Sequence, residues 1–359
     1  MRFLKPKLQK TLLLVILAGV LALGKVGRAA RYEYKEVFVP IVTYHRLTGK
    51  PKTEIDLTPE QLQRQFQYFR DAGYQPITAT EMLNCKEDPG SFPEKPLVLT
   101  FDDGPLSNYT IVFPLLKKYG WKATFFIYPK VIAKKSKTQL TWNQLRKMAA
   151  AGMDIQSHTL SHPFLTSIDA AGKERYSKWL KRELQESKRI IEANLKRKVD
   201  LLAYPYGWFN KYVEKRCFRW GYRAVFTINY GVNRVEPKRV RFDRFVITNN
   251  LSLGILKSFL TAKPLEIESI VPKDGETILG LREIRFRLKD RRFKQVEVKF
   301  RRQRETIRCD RKGVFTFIPR GKIPTGYQMV IAKVQGAQGE NYLASWGFEY
   351  QLPVCGGDD

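Results

Sequence analysis

The chain has 359 residues, 43% of them hydrophobic and 28% charged. That balance belongs to a folded protein, at a length that suggests two domains, and it excludes a disordered, collagen-like or multi-span membrane chain. The 64 Lys+Arg against 35 Asp+Glu leave +29, an excess that favours an anionic neighbour: nucleic acid, an anionic lipid surface or an acidic wall polymer. Any chemistry that needs imidazole must draw on His45, His158 or His162, since no other histidine exists.

The first ten residues carry Arg2, Lys5, Lys7 and Lys10 and no acid, and an apolar run follows from Leu12 to Gly24. This is the pattern of an export signal, shorter than the ~20 apolar residues of a full transmembrane helix. Residues 1–30 therefore read as a signal peptide, or as an uncleaved signal anchor held by residues 11–24. Either way the remainder is expected outside the cytoplasm, in the periplasm, the cell envelope or the medium. Removing residues 1–29 still leaves +23, so the basic character is not confined to the signal. Export and the lack of a recognised nucleic-acid motif argue against nucleic acid as the partner. The four cysteines, Cys85, Cys217, Cys309 and Cys355, allow three pairings in an oxidising compartment, Cys85–Cys217 with Cys309–Cys355 being the simplest; free thiols are the alternative.

Residues 37–260 alternate strand-like runs with capped helices. Val37–Tyr44 reads as a strand. Thr58-Pro59-Glu60-Gln61 is a capping box that opens a helix closing near Gly73. Leu97–Phe101 is a continuous apolar strand, and a helix after it ends at Gly120. Ala123–Tyr128 is the next strand, and Thr141-Trp142-Asn143-Gln144 opens a helix that Gly152 stops. Asp154–Ser157 is a short strand before a long charged helix over 172–196. Strand Leu201–Tyr204, a helix to Gly221 and strand Arg223–Ile228 complete the series. About seven strand–helix units predict a parallel sheet closed into a distorted (β/α)7-type barrel.

After Pro264 the period changes to two. Ile284, Phe286 and Leu288 alternate with charges, as do Val296, Val298 and Phe300, and later Trp346, Phe348 and Tyr350. This predicts a small all-β sandwich over 264–359, whose opening Ser269-Ile270-Val271-Pro272 resembles Ig-like modules of bacterial surface proteins. The segment 282–312 holds fourteen Lys/Arg against five Asp/Glu; it reads as a solvated basic face or a site for an anionic envelope polymer or membrane surface. The sandwich is expected to fold independently and to supply no catalytic group, so that residues 31–263 carry the chemistry.

Three clusters sit at strand ends. Thr100-Phe101-Asp102-Asp103-Gly104-Pro105 puts two carboxylates directly after a buried strand, although alone it also reads as a turn. His158-Thr159-Leu160-Ser161-His162-Pro163 spaces two imidazoles as a divalent metal needs, and it gathers two of the three histidines into one window. Pro205-Tyr206-Gly207 closes a third strand and alone is merely a turn.

Together the three motifs resemble the polysaccharide deacetylase family, the carbohydrate esterases with a NodB-like catalytic domain. Its TFDDGP, H(S/T)xxHP and RxPYG motifs align, in order, with Thr100–Pro105, His158–Pro163 and Pro205–Gly207, and the likeness covers roughly residues 37–250. The resemblance implies a metal-dependent removal of N-acetyl groups from an N-acetylhexosamine polymer, poly-N-acetylglucosamine-like or peptidoglycan-like. Asp103, His158 and His162 would be the metal ligands, for Zn²⁺ or for Co²⁺, Ni²⁺ or Mn²⁺. Asp102 would be the general base, the Tyr206 backbone N–H the oxyanion donor, and Pro205 and Tyr206 substrate contacts.

Three departures qualify the match. Ala203 stands where the family's third motif has arginine, so Asp102 must be oriented by another group. The downstream Asp/Trp motif is reduced to Asn229-Tyr230. The late Leu-x-His that supplies the family's general acid is missing, and Phe245–Asn250 occupies its place. His45, at the end of a strand closing in Tyr44-His45 that resembles the poly-N-acetylglucosamine deacetylase branch, is the remaining candidate for the acid; a structural histidine at a strand end is the alternative. These losses support an alternative: a catalytically weak carbohydrate- or polyanion-binding envelope protein.

Overall fold

The computed structural model describes residues 36–351 apart from 87, 134–135 and 167–172. The expected signal, residues 1–30, and Cys355 lie outside the described residues. The described residues from Val37 onward belong to one compact unit.

The N-terminal part contains strands β1 (Val37–Val39), β2 (Ile41–Tyr44), β3 (Gln75–Ile77), β4 (Pro96–Asp102), β5 (Thr124–Ile127) and β6 (Asp154–Ser157). It continues with β7 (Leu201–Ala203), β8 (Ala224–Phe226), β9 (Asn233–Val235), β10 (Arg241–Phe242) and β11 (Phe245–Val246). Eight of these form an all-parallel sheet in the order β10-β8-β7-β6-β5-β4-β2-β11, with β3 laid beside the start of β4. Its two edges, β10 and β11, are separated in sequence only by Asp243-Arg244. The sheet is therefore brought round on itself, and its seam is a dipeptide rather than a ladder. The parallel barrel-like sheet agrees with the expected α/β class. The Val37–Tyr44 run is broken at Pro40: β1 leaves to pair antiparallel with β9, while β2 enters the sheet.

The helices are α1 (Pro59–Asp71), α2 (Ala79–Cys85), α3 (Phe113–Tyr119), α4 (Pro129–Ala133), α5 (Trp142–Ala150), α6 (Lys173–Lys181), α7 (Ser187–Leu195), α8 (Lys211–Arg219) and α9 (Leu253–Leu260). The boxes at Thr58/Gln61 and Thr141/Gln144 cap α1 and α5 as read, and a third, Thr78/Glu81, caps α2. The long helix over 172–196 is interrupted by a π turn at Arg182–Glu186. Such turns recur at functional sites, and this one sets Glu183 beneath the histidine loop.

Alternation along the strands divides the core. Val42, Leu99, Phe101, Phe125, Ile127 and Ile155 face the helices, packing with Leu62, Phe66, Leu116, Met148 and Ile191. The opposite parity gives Ile41, Val98, Phe126, Leu201, Ala203, Phe226 and Phe242, a smaller apolar layer inside the sheet.

The C-terminal part is all β: β12 (Lys263–Pro264), β13 (Ile267–Val271), β14 (Thr277–Leu279), β15 (Ile284–Leu288), β16 (Gln295–Phe300), β17 (Gln303–Arg308), β18 (Val314–Phe317), β19 (Gly326–Gln335) and β20 (Asn341–Gln351). They make one six-stranded and one three-stranded sheet around Ile284, Phe286, Val298, Phe300, Trp346 and Phe348. Much of the basic segment is neutralised locally: Lys289 pairs with Glu266, Arg291 with Glu268, Arg292 with Asp290 and Arg285 with Glu283.

The expectation that 265–359 folds by itself does not fit its packing. Ile331 and Leu343 belong to the core under the barrel helices, and Tyr327 packs on the cluster of Tyr204 and Phe209. Asn210 Nδ2 donates to the buried Glu349 carboxylate at 2.9 Å. Arg241, at the seam, pairs with both Glu214 and Asp274. A cleft of about 610 Å³ between the two parts is lined by these charges and by Arg239 and Asp243. The Cys85–Cys217 pairing is corrected as well: both are free thiols, Cys217 buried and Cys85 near the Ser91 carbonyl.

Candidate active site

Strand parity delivers the chemistry to one place. Above the inner apolar layer, Thr43 leads to His45, Thr100 to Asp102, Gln156 to His158 and Phe242 to Arg244, each two residues on and so on the same face. The ladder runs far enough to hold them, because His158 N–H donates to Ile127 O at 2.8 Å and Ile247 N–H to Thr43 O at 2.9 Å. Catalytic groups of parallel barrels gather at this C-terminal end of the strands.

Asp103, His158 and His162 converge, one donor atom from each lying within 4.8 Å of the others. The two imidazole Nε2 atoms are 3.1 Å apart, and Asp103 Oδ1 lies 3.3 Å from His162 Nε2 and 3.7 Å from His158 Nε2. Asp103 Oδ1 is buried with no hydrogen-bond partner. His158 Nδ1 is 2.8 Å from the Ala203 carbonyl; donating there fixes the tautomer that leaves Nε2 a lone pair. Burial pushes the His158 pKa down to about 3, and it lowers His162 as well. Two neutral imidazoles and an orphaned carboxylate oxygen are a donor set that fits a divalent cation.

The loop that presents the histidines is tied down from below. Ser161 donates to Glu183 through both its N–H (2.9 Å) and its hydroxyl (2.8 Å). Ser187 Oγ donates to Thr159 O, and Tyr222 OH to Ser157 Oγ. Four of the six non-glycine residues with positive φ among the described residues, Asp103, Thr159, His162 and Tyr206, sit in these motifs. Strained backbone persists where its surroundings over-determine it, and it clusters at functional sites.

Asp102 is buried, and its Oδ1 accepts from Arg244 Nη1 at 2.7 Å. Burial alone would raise its pKa; the Arg244 guanidinium, then His158 and His45, outweigh that and hold the carboxyl at about 2. Oδ2 faces the histidines, 3.9 Å from His158 Nε2. Asp103 shifts the other way, raised by burial first and by the Asp102 charge as well. Arg244 was not foreseen. It takes the part left vacant by Ala203, and it also donates to Thr227 O at 3.0 Å and reaches Thr43 and Thr100. The signal was present in Phe242-Asp243-Arg244-Phe245, two opposite charges held between two apolar strand residues.

His45 closes β2, with Nδ1 buried and unpartnered and its charge felt by both Asp102 and Asp103. β2 is the neighbour of β11, so His45 arises beside Phe245–Asn250, the segment that lacks a histidine. Tyr206 projects at the rim, 44% exposed, its ring 4.7 Å from that of His162. Pro205 is buried and opens the turn, which leaves Tyr206 as the exposed member of the pair. Asn229 accepts from Tyr327 OH at 2.9 Å and so links barrel to sandwich.

A model of the polysaccharide deacetylase family matches residues 90–225, the stretch that holds the two aspartates, both site histidines and Tyr206. The Bacillus subtilis protein YxkH, whose name assigns it to the polysaccharide deacetylases, is 30% identical over 221 residues, covering 61% of this chain and 74% of its own. The chain belongs to the polysaccharide deacetylase family. This makes it an enzyme of the hydrolase class. Another relative is the poly-beta-1,6-N-acetyl-D-glucosamine N-deacetylase of Staphylococcus epidermidis, 26% identical over 214 residues, 56% of this chain and 72% of that one. Among solved structures, the Streptococcus pyogenes deacetylase PplD in complex with acetate is similar at a TM-score of 0.57 and 26% identity, covering 63% of this chain and 99% of that one.

Proposed function

We propose that this polysaccharide deacetylase is an exported, metal-dependent enzyme that hydrolyses the N-acetyl groups of an N-acetylhexosamine polymer, poly-N-acetylglucosamine-like or peptidoglycan-like. The observation that carries the reading is the meeting of the orphaned Asp103 Oδ1 with two neutral imidazoles, beside a carboxylate anchored by Arg244. The polymer class is supported by the name of the Staphylococcus epidermidis relative, and export by the basic and apolar start of the sequence. In this reading residues 31–263 are the catalytic region, 264–359 an Ig-like accessory sandwich, and the basic faces meet an anionic envelope polymer or membrane surface.

Asp103, His158 and His162 would hold one divalent ion, Zn²⁺ or a similar metal, whose chemistry is to acidify water and polarise the acetyl carbonyl. The chain's own groups do the rest. Asp102 Oδ2 takes a proton from the attacking water while Arg244 keeps Oδ1 occupied. The Tyr206 N–H donates to the carbonyl oxygen as charge builds there. The C–N bond then breaks, and His45 gives a proton to the departing nitrogen, which leaves as the free amine with acetate as co-product. The binding-protein alternative rested on a lost arginine and a lost acid; the Arg244–Asp102 pair and the unpartnered Nδ1 of His45 support the enzyme over it.

The test is metal content with acetate release from defined acetylated glycans. Wild type should hold about one ion per chain, as a three-donor catalytic site does, and His158→Ala almost none. Equal content in both removes these ligands. A positioned acid contributes about 10²–10⁴-fold, so His45→Ala should keep the metal and turn over at least tenfold more slowly. Asp102→Asn should be inactive. If His45→Ala is as fast as wild type, the acid lies elsewhere.

A further inference from the structure

The site opens onto an aromatic ledge whose side chains have no part in the proton transfers proposed above. From the metal ligand His162 the rings run outward: Tyr206 at 4.7 Å, Phe164 stacked on Tyr206 at 4.0 Å, and Trp208 against Phe164 at 4.4 Å. Phe164 is 38% exposed and Tyr206 44%, and Trp208 is half-buried. Adjacent exposed aromatics are unfavourable in water unless something covers them, and they mark binding surfaces. The far side of Trp208 is supported by the C-terminal sheets. It stacks with Tyr327 at 6.2 Å, and a Cβ on Gly326 would meet the indole at 3.2 Å, so only glycine lets it lie this close without a shift. Tyr327 is in turn held by its bond to Asn229.

We propose that Tyr206, Phe164 and Trp208 form a platform for the sugars flanking the one being deacetylated, and that β19 braces it through Gly326 and Tyr327. The proposal rests on the deacetylase reading above. The occupant follows from the chemistry. A pyranose presents a face of weakly positive C–H groups, which complements the negative face of an aromatic ring. Tyr and Trp add one polar handle each for hydroxyls. A ledge that begins at a metal ligand can hold the same chain whose acetyl group lies at that ligand. The C-terminal part thus shapes the substrate site directly, in addition to any role of its basic faces.

The experiment is calorimetric titration of Zn²⁺-loaded Asp102→Asn protein with β-1,4- and β-1,6-linked N-acetylglucosamine oligosaccharides, from disaccharide to pentasaccharide. Affinity for at least one linkage should rise by about tenfold or more with length, the effect of one or two good ring contacts. Phe164→Ala and Trp208→Ala in that background should each lose most of the gain, and Trp208→Phe should keep much of it. Tyr327→Ala should lose part of it, acting through Trp208. Phe164 is exposed, so its variant serves if Trp208→Ala fails to fold. An unchanged length gain in Phe164→Ala, or no length gain at all, overturns the platform. Acetate release by the wild-type protein separates the two claims. Release without any length-dependent binding leaves the deacetylase and removes the ledge. Length-dependent binding that needs Phe164, with no release from any acetylated glycan, keeps the ledge and removes the deacetylase.

Discussion

A carboxylate taken fully out of water stays charged only if an opposite charge goes with it, and Asp102 and Arg244 are such a pair, both at most 1% exposed. Removing one member of a buried pair leaves the other uncompensated and typically costs about 3–5 kcal/mol. Arg244→Met should therefore lower stability by roughly that amount and abolish turnover, because Asp102 would be held protonated or displaced. Asn at 102 carries no charge to strand, so Arg244→Met/Asp102→Asn should recover much of the stability and none of the activity. Urea unfolding of the four proteins reads the coupling directly. A double variant no more stable than Arg244→Met would mean that the arginine stabilises the barrel seam by packing alone.

The short turns that follow the strands carry as much of the site as the strands do. Gly207 shows how tightly one is set: its φ is +71°, and a Cβ there would lie 2.3 Å from Ile228 Cγ1 and 2.6 Å from Ile228 N. Gly207→Ala should shift Tyr206, lower kcat by at least the tenfold that corresponds to about 1.4 kcal/mol, and cost stability as well. Ile228→Ala should not rescue it, since the backbone nitrogen remains in the way; full rescue in the double variant would show the clash to be with the side chain. This scale also explains what the sequence disclosed. Asp102, Asp103, His158 and His162 are legible because each is written next to its strand in a short motif. The capped helices α1 and α5 are legible because their boxes are local. Arg244 is not, since its partner is 142 positions away and nothing in an Asp-Arg pair between two phenylalanines says which carboxylate the arginine meets. β3 escaped because it is three residues long, and α2 because its seven residues are too few to show a helical period, although its Thr78/Glu81 box is as local as the other two.

At the scale of the molecule, what matters is how much of the barrel is finished by residues beyond Pro264. Ile331 and Leu343 close the core over the barrel helices, and fully burying such side chains is worth about 1.5–3 kcal/mol each. Asn210, the cap of α8, is oriented by Glu349, and Arg241 at the seam loses one of its two carboxylates if Asp274 is removed. The same seam carries Arg244 three residues on. Summed, these contacts are a large share of the roughly 5–15 kcal/mol that stabilises a typical domain. A chain ending at Lys263 should accordingly melt well below the full-length protein or aggregate. Where it stays soluble, it should deacetylate even the shortest soluble substrate more slowly, because loosening β10 and β11 loosens Arg244 and with it Asp102. Thermal midpoints and acetate release from a short oligomer, compared between the two chains at equal metal content, decide the matter. A shortened chain with the full-length midpoint and full activity would show that the sandwich is an independent attachment, as the change of period at Pro264 alone suggests.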